Sequence, residues 1–251
     1  MRNISVAIAT YNEEKNLKRC LESIAFWVDE IVIVDGSSTD KTVDIAKDFG
    51  AKVVITDNPL NFHINKQKAI DACSREWIFQ LDADEVVTVE LKKEILSVVK
   101  QKNINGYWIP RKNNFLGKFL VKGGQYPDYT LRLYRRGKGR LPCDSVHEQA
   151  IVAGRVGYLQ NPLLHYPYAN FTEYLDHFNR YTDISAQEHK DSELKISLVS
   201  FTNYMLTKPI HWFLISFIRH KGFMDGFSGF VFSFFSSLRF PVSYIKYWQN
   251  R

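Results

Sequence analysis

Trp77-Ile78-Phe79-Gln80-Leu81-Asp82-Ala83-Asp84-Glu85 is an apolar run that stops on two carboxylates spaced one residue apart. The run reads as a buried strand and its abrupt end as an acidic site. Strands of open α/β sheets present their carboxyl ends to ligands. Oxygens at i and i+2, or one of them beside a phosphate, suit a hard divalent cation. The stretch therefore points to a metal-held diphosphate.

The same design occurs upstream, where Glu30-Ile31-Val32-Ile33-Val34 runs into Asp35-Gly36-Ser37-Ser38-Thr39-Asp40. Asp35 is read as a second acidic strand end, while Asp40 is equally compatible with capping a helix that starts near Lys41. Around these two ends, residues 1 to about 100 alternate strand and helix patterns. Ile4 to Ala9, Ile31 to Val34, Lys52 to Ile55 and Trp77 to Leu81 read as strands. Asn16 to Ile24, Lys41 to Phe49, Ile64 to Cys73 and Leu91 to Val99 read as helices. That order predicts a mostly parallel sheet flanked by helices.

From Gly106 to about Tyr168 the pattern changes to short extended runs broken by Gly and Pro, among them Tyr107 to Pro110, Tyr129 to Tyr134 and Gly157 to Leu159. A smaller mixed β region is expected here, followed by a polar helix from Phe171 to His189. In the tail, Phe227, Phe230, Val231, Phe234, Phe235 and Leu238 fall on one helical stripe, with Ser228, Ser233, Ser236 and Ser237 mostly off it. Residues 195–251 hold seven cations against the single acid Asp225, so the whole formal charge of +6 resides there, with ten of the 18 phenylalanines. The charge-free run Gly226 to Leu238 is too short to span a bilayer. A basic aromatic stripe suits an anionic membrane interface, and packing on the body or on a second copy is the alternative.

Composition excludes other classes. A hydrophobic share of 45% in 251 residues is ample for a packed core. Cys20, Cys73 and Cys143 form no CxxC pair and leave an odd count, which argues against a disulfide framework and for a reducing compartment. The first apolar run, Ile4 to Ala9, is too short for a signal-peptide core, so a cytoplasmic protein is expected. Nucleic acid is not expected as a partner: the charge sits among phenylalanines with no reader motif, which favours lipid as the polyanion. A nucleotidyltransferase would show a Gly-rich, basic phosphate loop after its first strand, whereas Thr10-Tyr11-Asn12-Glu13-Glu14 is acidic and lacks glycine. A receiver-like domain using Asp35 as phosphoacceptor would leave the second acidic motif and the tail unexplained.

Taken together, Ser5 to Glu14, Ile33 to Asp40 and Leu81 to Glu85 resemble the family 2 glycosyltransferases of the GT-A fold, over residues 1 to about 100. Farther on, Tyr126-Pro127-Asp128, Leu131 to Arg136, Val146-His147-Glu148 and Leu164-His165-Tyr166 look like the bacterial subgroup containing lipopolysaccharide core β-glucosyltransferases. The resemblance implies that Thr10, Tyr11 and Glu13 line the nucleotide pocket and that Asp35 bonds the base, usually uracil. It places Asp82 near the ribose or donor sugar and in the metal motif, and gives Asp84 the Mn²⁺ or Mg²⁺ that neutralises the departing diphosphate.

Inverting transfer also needs a carboxylate base for the acceptor hydroxyl, which the family places beyond the metal motif. Glu148 is favoured and Asp128 is the other candidate; where relatives carry an acidic pair, this chain has His147-Glu148. Arg132, sharing a strand face with Tyr134, is a phosphate-binding candidate, with Arg135 or Arg136 left as solvated charges. His165 is a possible extra metal ligand or a structural hydrogen-bonder.

The expected organisation is a GT-A domain over residues 1–190, with 1–100 as nucleotide-sugar-binding half and 101–190 as acceptor-side half. A basic, amphipathic helical tail, 191–251, would contact the inner membrane surface or a second copy in a homo-oligomer. The expected activity is inverting transfer of a hexose, glucose by the resemblance, from a UDP-sugar to a glycolipid or lipopolysaccharide-core acceptor. A polyprenyl-linked or protein acceptor is the alternative, with nucleotidyl transfer or non-catalytic nucleotide binding more distant.

Overall fold

The computed structural model describes residues 3–144 and 148–250. The chain divides into two compact units, Met1–Arg111 with Asp128–His165, and Lys112–Pro127 with Tyr166–Arg251.

The first unit opens with β1 (Ile4–Thr10), α1 (Leu17–Glu22), β2 (Glu30–Asp35), α2 (Thr42–Asp48), β3 (Lys52–Ile55), α3 (His63–Asp71) and β4 (Trp77–Gln80). It continues through β5 (Glu85–Val87), α4 (Val89–Val98) and β6 (Gly106–Phe115), whose last residues belong to the second unit, as does β7 (Lys118–Phe119). β8 (Asp128–Arg135), β9 (Gly139–Arg140), β10 (Ile151–Val152), β11 (Val156–Tyr158) and β12 (Leu163–His165) complete it.

The main sheet runs β3-β2-β1-β4-β8-β6-β12-β5, with β7 and β11 also paired to β6 and with β9 and β10 forming a separate pair. β1 to β4 are mutually parallel, as the alternation predicts. β8 then pairs antiparallel with β4, and β6 antiparallel with β8. Successive strand residues point to opposite faces. Accordingly Ile4, Val6, Ile8, Ile33 and Phe79 enter one core with α1 and α4, while Ala7, Val32, Val34 and Ile78 enter another with α3. Burial on both faces explains why these strands read as unbroken apolar runs rather than alternating ones. Thr88 starts α4 by accepting from the N–H of Leu91 at 3.1 Å.

The second unit is helical: α5 (Phe171–Asp191), α6 (Leu198–Thr202), a π-helical turn over Asn203–Thr207, α7 (Lys208–Phe213), another π-helical turn over Leu214–Arg219, a 3₁₀ turn over Gly222–Asp225, and α8 (Gly226–Gln249). α5 clusters with this unit, as do residues 112–127. The reason is its packing along α8: Tyr174 and Phe171 meet the ring of Phe235, and Lys246 pairs with Asp183 at 2.6 Å.

The stripe on α8 divides. Val231 is buried and Phe235 half-buried, but Phe227, Phe230 and Phe234 face outward while Ser228, Ser233, Ser237 and Ser243 are buried. Close helix contact requires this arrangement: a Cβ on Gly229 would lie 2.0 Å from the carbonyl oxygen of Gly222, and Ser216 and Ser233 join hydroxyls at 3.0 Å. Among the described residues, no helix is long and apolar enough to cross a membrane.

Candidate active site

The chain builds β1, β2 and β3 in one direction and then returns to place β4 on the other side of β1. This creates a switch point, and in open α/β sheets ligands enter at the carboxyl ends of the strands beside it. Thr10 ends β1, Asp35 ends β2, and Asp82 to Glu85 follow β4.

Asp35 is fully buried. Its Oδ2 accepts from Thr10 Oγ1 at 2.7 Å and from Ser38 Oγ at 2.6 Å, and its Oδ1 from the Ser38 N–H at 2.7 Å. A carboxylate offers about four acceptor sites, so Oδ1 retains capacity for one more donor. Asn12 and Ser37, just beyond the two strand ends, both take the left-handed backbone, with φ of 55° and 66°. Such conformations in non-glycine residues cluster at ligand sites. Tyr11 is half exposed beyond β1. Asp40 accepts from the Thr42 N–H at 3.0 Å and the Glu14 N–H at 3.1 Å, one residue before Lys41, the cap position of α2.

Glu13 is half-buried nearby. Burial, joined by the negative charges of Asp84, Asp82 and Asp40 and opposed by a hydrogen bond from Asn16, pushes its carboxyl up to about 7. Burial is the main cause, and the neighbouring acids add to it.

The strands that follow run the other way and deliver cations to the same edge. β8 runs antiparallel to β4 in the register Phe79↔Leu133, which brings Arg132 to the carboxyl end of β4. Arg132 Nη2 lies 2.5 Å from Asp82 Oδ2 and 2.9 Å from Glu85 Oε1. Lys66, from α3, lies 2.5 Å from Asp82 Oδ1. Burial alone would raise the Asp82 carboxyl, but the charges of Arg132 and Lys66 hold it well below the usual range. Glu85 is fully buried and accepts from the Asp82 N–H at 2.9 Å. The β6–β8 register pairs Arg111 with Asp128; Arg111 reaches the Asp128 carboxylate at 2.8 Å and Glu85 at 3.6 Å.

Asp84 has a different environment. β12 pairs with β5 in the register His165↔Glu85, and His165 Nε2 stands 3.2 Å from Asp84 Oδ2. The other oxygen, Oδ1, is buried with no hydrogen-bond partner. Of the two acids in the motif, Asp82 has an ion pair at each oxygen, although its Oδ1 too lacks a hydrogen bond of good geometry, and Asp84 has one, at Oδ2.

The structure thus links Asp82, Arg132 and Asp128 through Glu85 and Arg111, pairs Asp84 with His165 beside them, and brings Thr10 and Asp35 together at the adjoining strand ends. Glu148 accepts from the backbone N–H groups of Cys143 and Asp144, the latter at 3.1 Å. Its motif neighbours Val146 and His147 lie outside the described residues. Arg135 is not a solvated charge: it pairs with Glu76, bonds the carbonyl of Gln101 and lies 4.6 Å over the ring of Trp77. Lys66, Glu85 and Arg111 join the site without a role expected from sequence. Glu85 carried a signal, a third acid inside the motif; Lys66 in a polar helical stretch and Arg111 one residue past the expected strand carried none.

The profile of Glycosyl transferase family 2 matches residues 5–152, which takes in both acidic strand ends. The chain belongs to glycosyltransferase family 2. It is therefore an enzyme. It is 31% identical over 235 residues to the lipopolysaccharide core biosynthesis glycosyltransferase LpsC of Rhizobium meliloti, covering 91% of this chain and 85% of that one. It is also 29% identical over 248 residues to an uncharacterized glycosyltransferase of Rickettsia typhi, covering 92% and 82%. Among solved structures, the mannosyltransferase PcManGT from Pyrobaculum calidifontis, in complex with GDP-Man and Mn²⁺, superposes with a TM-score of 0.59 at 11% identity, covering 99% of this chain and 88% of that one. TarS 1-349 of S. aureus, in complex with UDP, gives 0.52 at 15% identity, covering 99% and 92%. These likenesses establish the GT-A fold.

Proposed function

We propose that this family 2 enzyme transfers a hexose, glucose by its subgroup resemblance, from a UDP-sugar to a hydroxyl of a glycolipid or lipopolysaccharide-core acceptor, with inversion, at the cytoplasmic face of the membrane. The observation that carries the reading is the contrast inside the acidic motif: both oxygens of Asp82 are ion-paired, to Arg132 and Lys66, whereas half-buried Asp84 is ion-paired through Oδ2 to His165 and keeps a buried Oδ1 with no cation on it among the described residues.

A divalent cation fits these residues. Among the described residues, no three His, Cys, Asp or Glu side chains gather to cage a metal. A site with one carboxylate and one imidazole, completed by diphosphate oxygens and water, is the open form expected of Mg²⁺ or Mn²⁺ on a phosphate substrate. Asp84 and His165 would hold the ion, and its positive charge would stabilise the departing nucleoside diphosphate. The raised Glu13 and its acidic neighbours supply an electrostatic demand for that charge.

The other roles belong to the protein. Asp35, fixed by Thr10 and Ser38, offers Oδ1 to an N–H of the base, and Tyr11 borders it. Asp82 faces the sugar–ribose side with its charge set by Arg132 and Lys66. Glu148 takes the acceptor proton, with Asp128, held by Arg111, as the alternative base. Calorimetric titration with UDP, GDP and ADP, with and without Mn²⁺, tests the donor assignment. The reading expects Mn²⁺-dependent binding of UDP alone, lost in Asp84→Ala. Equal binding of GDP would overturn the UDP assignment, and no nucleotide binding would overturn the donor site.

A further inference from the structure

Residues 198–219 and α8 form an antiparallel hairpin. Ser200 meets Tyr244, Trp212 meets Ser236, and Ser216 meets Ser233 in turn along its length. Its inner surface is built from small residues and its bulk points outward. On the first limb Leu206, Ile210, Leu214 and Ile218 are all exposed at a spacing of four. In a plain α-helix of 3.6 residues per turn that spacing would drift around the axis; the two wider π-helical turns, Asn203–Thr207 and Leu214–Arg219, counter the drift and keep the ridge on one face. The second limb exposes Phe227, Phe230, Phe234, Ile245 and Trp248.

The two ridges converge at both ends of the hairpin. At the tip, the rings of Phe217 and Phe230 lie 5.8 Å apart and those of Phe217 and Phe223 6.2 Å apart. At the other end, Leu198, Phe201 and Met205 from the first limb and Ile245 and Trp248 from the second line a groove of about 560 Å³. Its polar groups are already engaged with one another: the Tyr244 hydroxyl lies 3.3 Å from Ser200 Oγ, and Ser200 Oγ accepts from the Ser197 N–H at 2.8 Å. The volume is that of a small-molecule site, and its wall suits an unfunctionalised hydrocarbon.

Charge decides the occupant. Asp225, the one acid in residues 195–251, is buried, accepting from the N–H groups of Val121 at 3.0 Å and Lys122 at 2.8 Å. Exposed Lys195 adjoins the groove, and exposed Arg219 and Lys221 flank the tip. An isologous dimer through this face would bring the tip cations Arg219 and Lys221 against like charge, whereas an anionic lipid surface complements them, and Lys195 stands beside the groove with exposed Asp191 and Glu193 just before it.

We propose that the hairpin lies flat in the surface of an anionic bilayer and that the groove beside Trp248 receives one acyl chain of an anionic phospholipid, its phosphate set against Lys195. This deepens, and rests on, the membrane-face reading given above. Trp248 is the reporter. The full-length protein is mixed with phosphatidylglycerol vesicles whose acyl chains are brominated at mid-chain, and quenching is compared with that in Trp248→Phe to isolate the Trp248 signal. Binding is followed in parallel by flotation on unbrominated vesicles.

The expected result is quenching of Trp248 emission by about half, falling roughly threefold or more in Met205→Glu while that variant still floats. Flotation without Trp248 quenching, or equal quenching in wild type and Met205→Glu, would overturn the acyl-chain groove and leave the membrane reading standing. Equal quenching by brominated phosphatidylcholine would overturn the anionic-lipid assignment. Absence of flotation on any vesicle would overturn the membrane reading itself.

Discussion

The two units of this enzyme invert each other's surface chemistry. The first buries charge: Glu85 and Asp35 are fully buried and Arg132 nearly so. The second buries serines and leaves Phe227 76% exposed. A buried charge or an exposed apolar patch is the informative departure from ordinary burial, because each costs free energy unless something offsets it. In the first unit the offset is internal: ion pairs between strands that run in opposite directions for Glu85 and Arg132, and hydrogen bonds from Thr10 and Ser38 for Asp35. In the second unit the outward rings are only partly covered by one another, and the offset assigned to the rest is lipid.

The largest effect that would sharpen this contrast is at the acid the protein does not neutralise. Asp84→Ala should lower transfer by about 10³-fold or more at saturating donor, the scale on which preorganised charge stabilisation acts; product formation measures it, and wild-type-like turnover would remove the metal assignment. Next is the central cation. Arg132→Met leaves Glu85 and Asp82 as buried carboxylates facing a lost partner and should cost about 3–5 kcal/mol of stability, read as a lowered urea midpoint. An unchanged midpoint would mean that the network is not formed.

The second unit is probed by charge. Reversing Arg219 and Lys221 to Glu should weaken binding to anionic vesicles by about 30-fold, at about 1 kcal/mol for each cation lost, with nucleotide titration unchanged. An equal loss of nucleotide affinity would break the separation of the two units' roles.

The smallest effect concerns Glu13. Its folded carboxyl is pushed up to about 7 from an ordinary 4.5, so between those values the folded state holds a proton that the unfolded chain releases. Stability should therefore fall as pH rises through that window. Glu13→Gln should remove the slope and stabilise the protein at pH 8 by about 1 kcal/mol relative to wild type, with little difference near pH 4.5. Urea unfolding at both pH values measures it; a slope of the opposite sign would contradict the buried acidic crevice.

Much of the first unit was legible in its sequence because the signals were local. Strands buried on both faces read as apolar runs, and the four parallel strands lie within a residue of their expected bounds. The acids at their ends could be named because a carboxylate directly after such a run has few structural uses. What joins them was not legible: Lys66 meets Asp82 across 16 positions and Arg132 across 50, contacts created by sheet order and by the reversal at β8.

In the tail, helix and stripe were readable but the direction of packing was not. With only one acid in the last 57 residues, polarity hardly distinguishes the faces. The close approach permitted by Gly222, Gly229 and the serines brings that side inward, over the larger but bulkier phenylalanine side. The helical course of residues 198–219 carried no clear period because its π-helical turns interrupt the 3.6-residue repeat.

The most direct test of the two-unit account is co-flotation of labelled UDP with phosphatidylglycerol vesicles in Mn²⁺. The account predicts that the wild-type enzyme carries UDP into the floating fraction, that Asp84→Ala floats without UDP, and that the Phe227→Ser/Phe230→Ser/Phe234→Ser variant stays with its UDP at the bottom of the gradient. If the phenylalanine variant floats like wild type, or if Asp84→Ala still carries UDP, the division of labour between a charge-burying catalytic unit and a lipid-facing helical unit is contradicted.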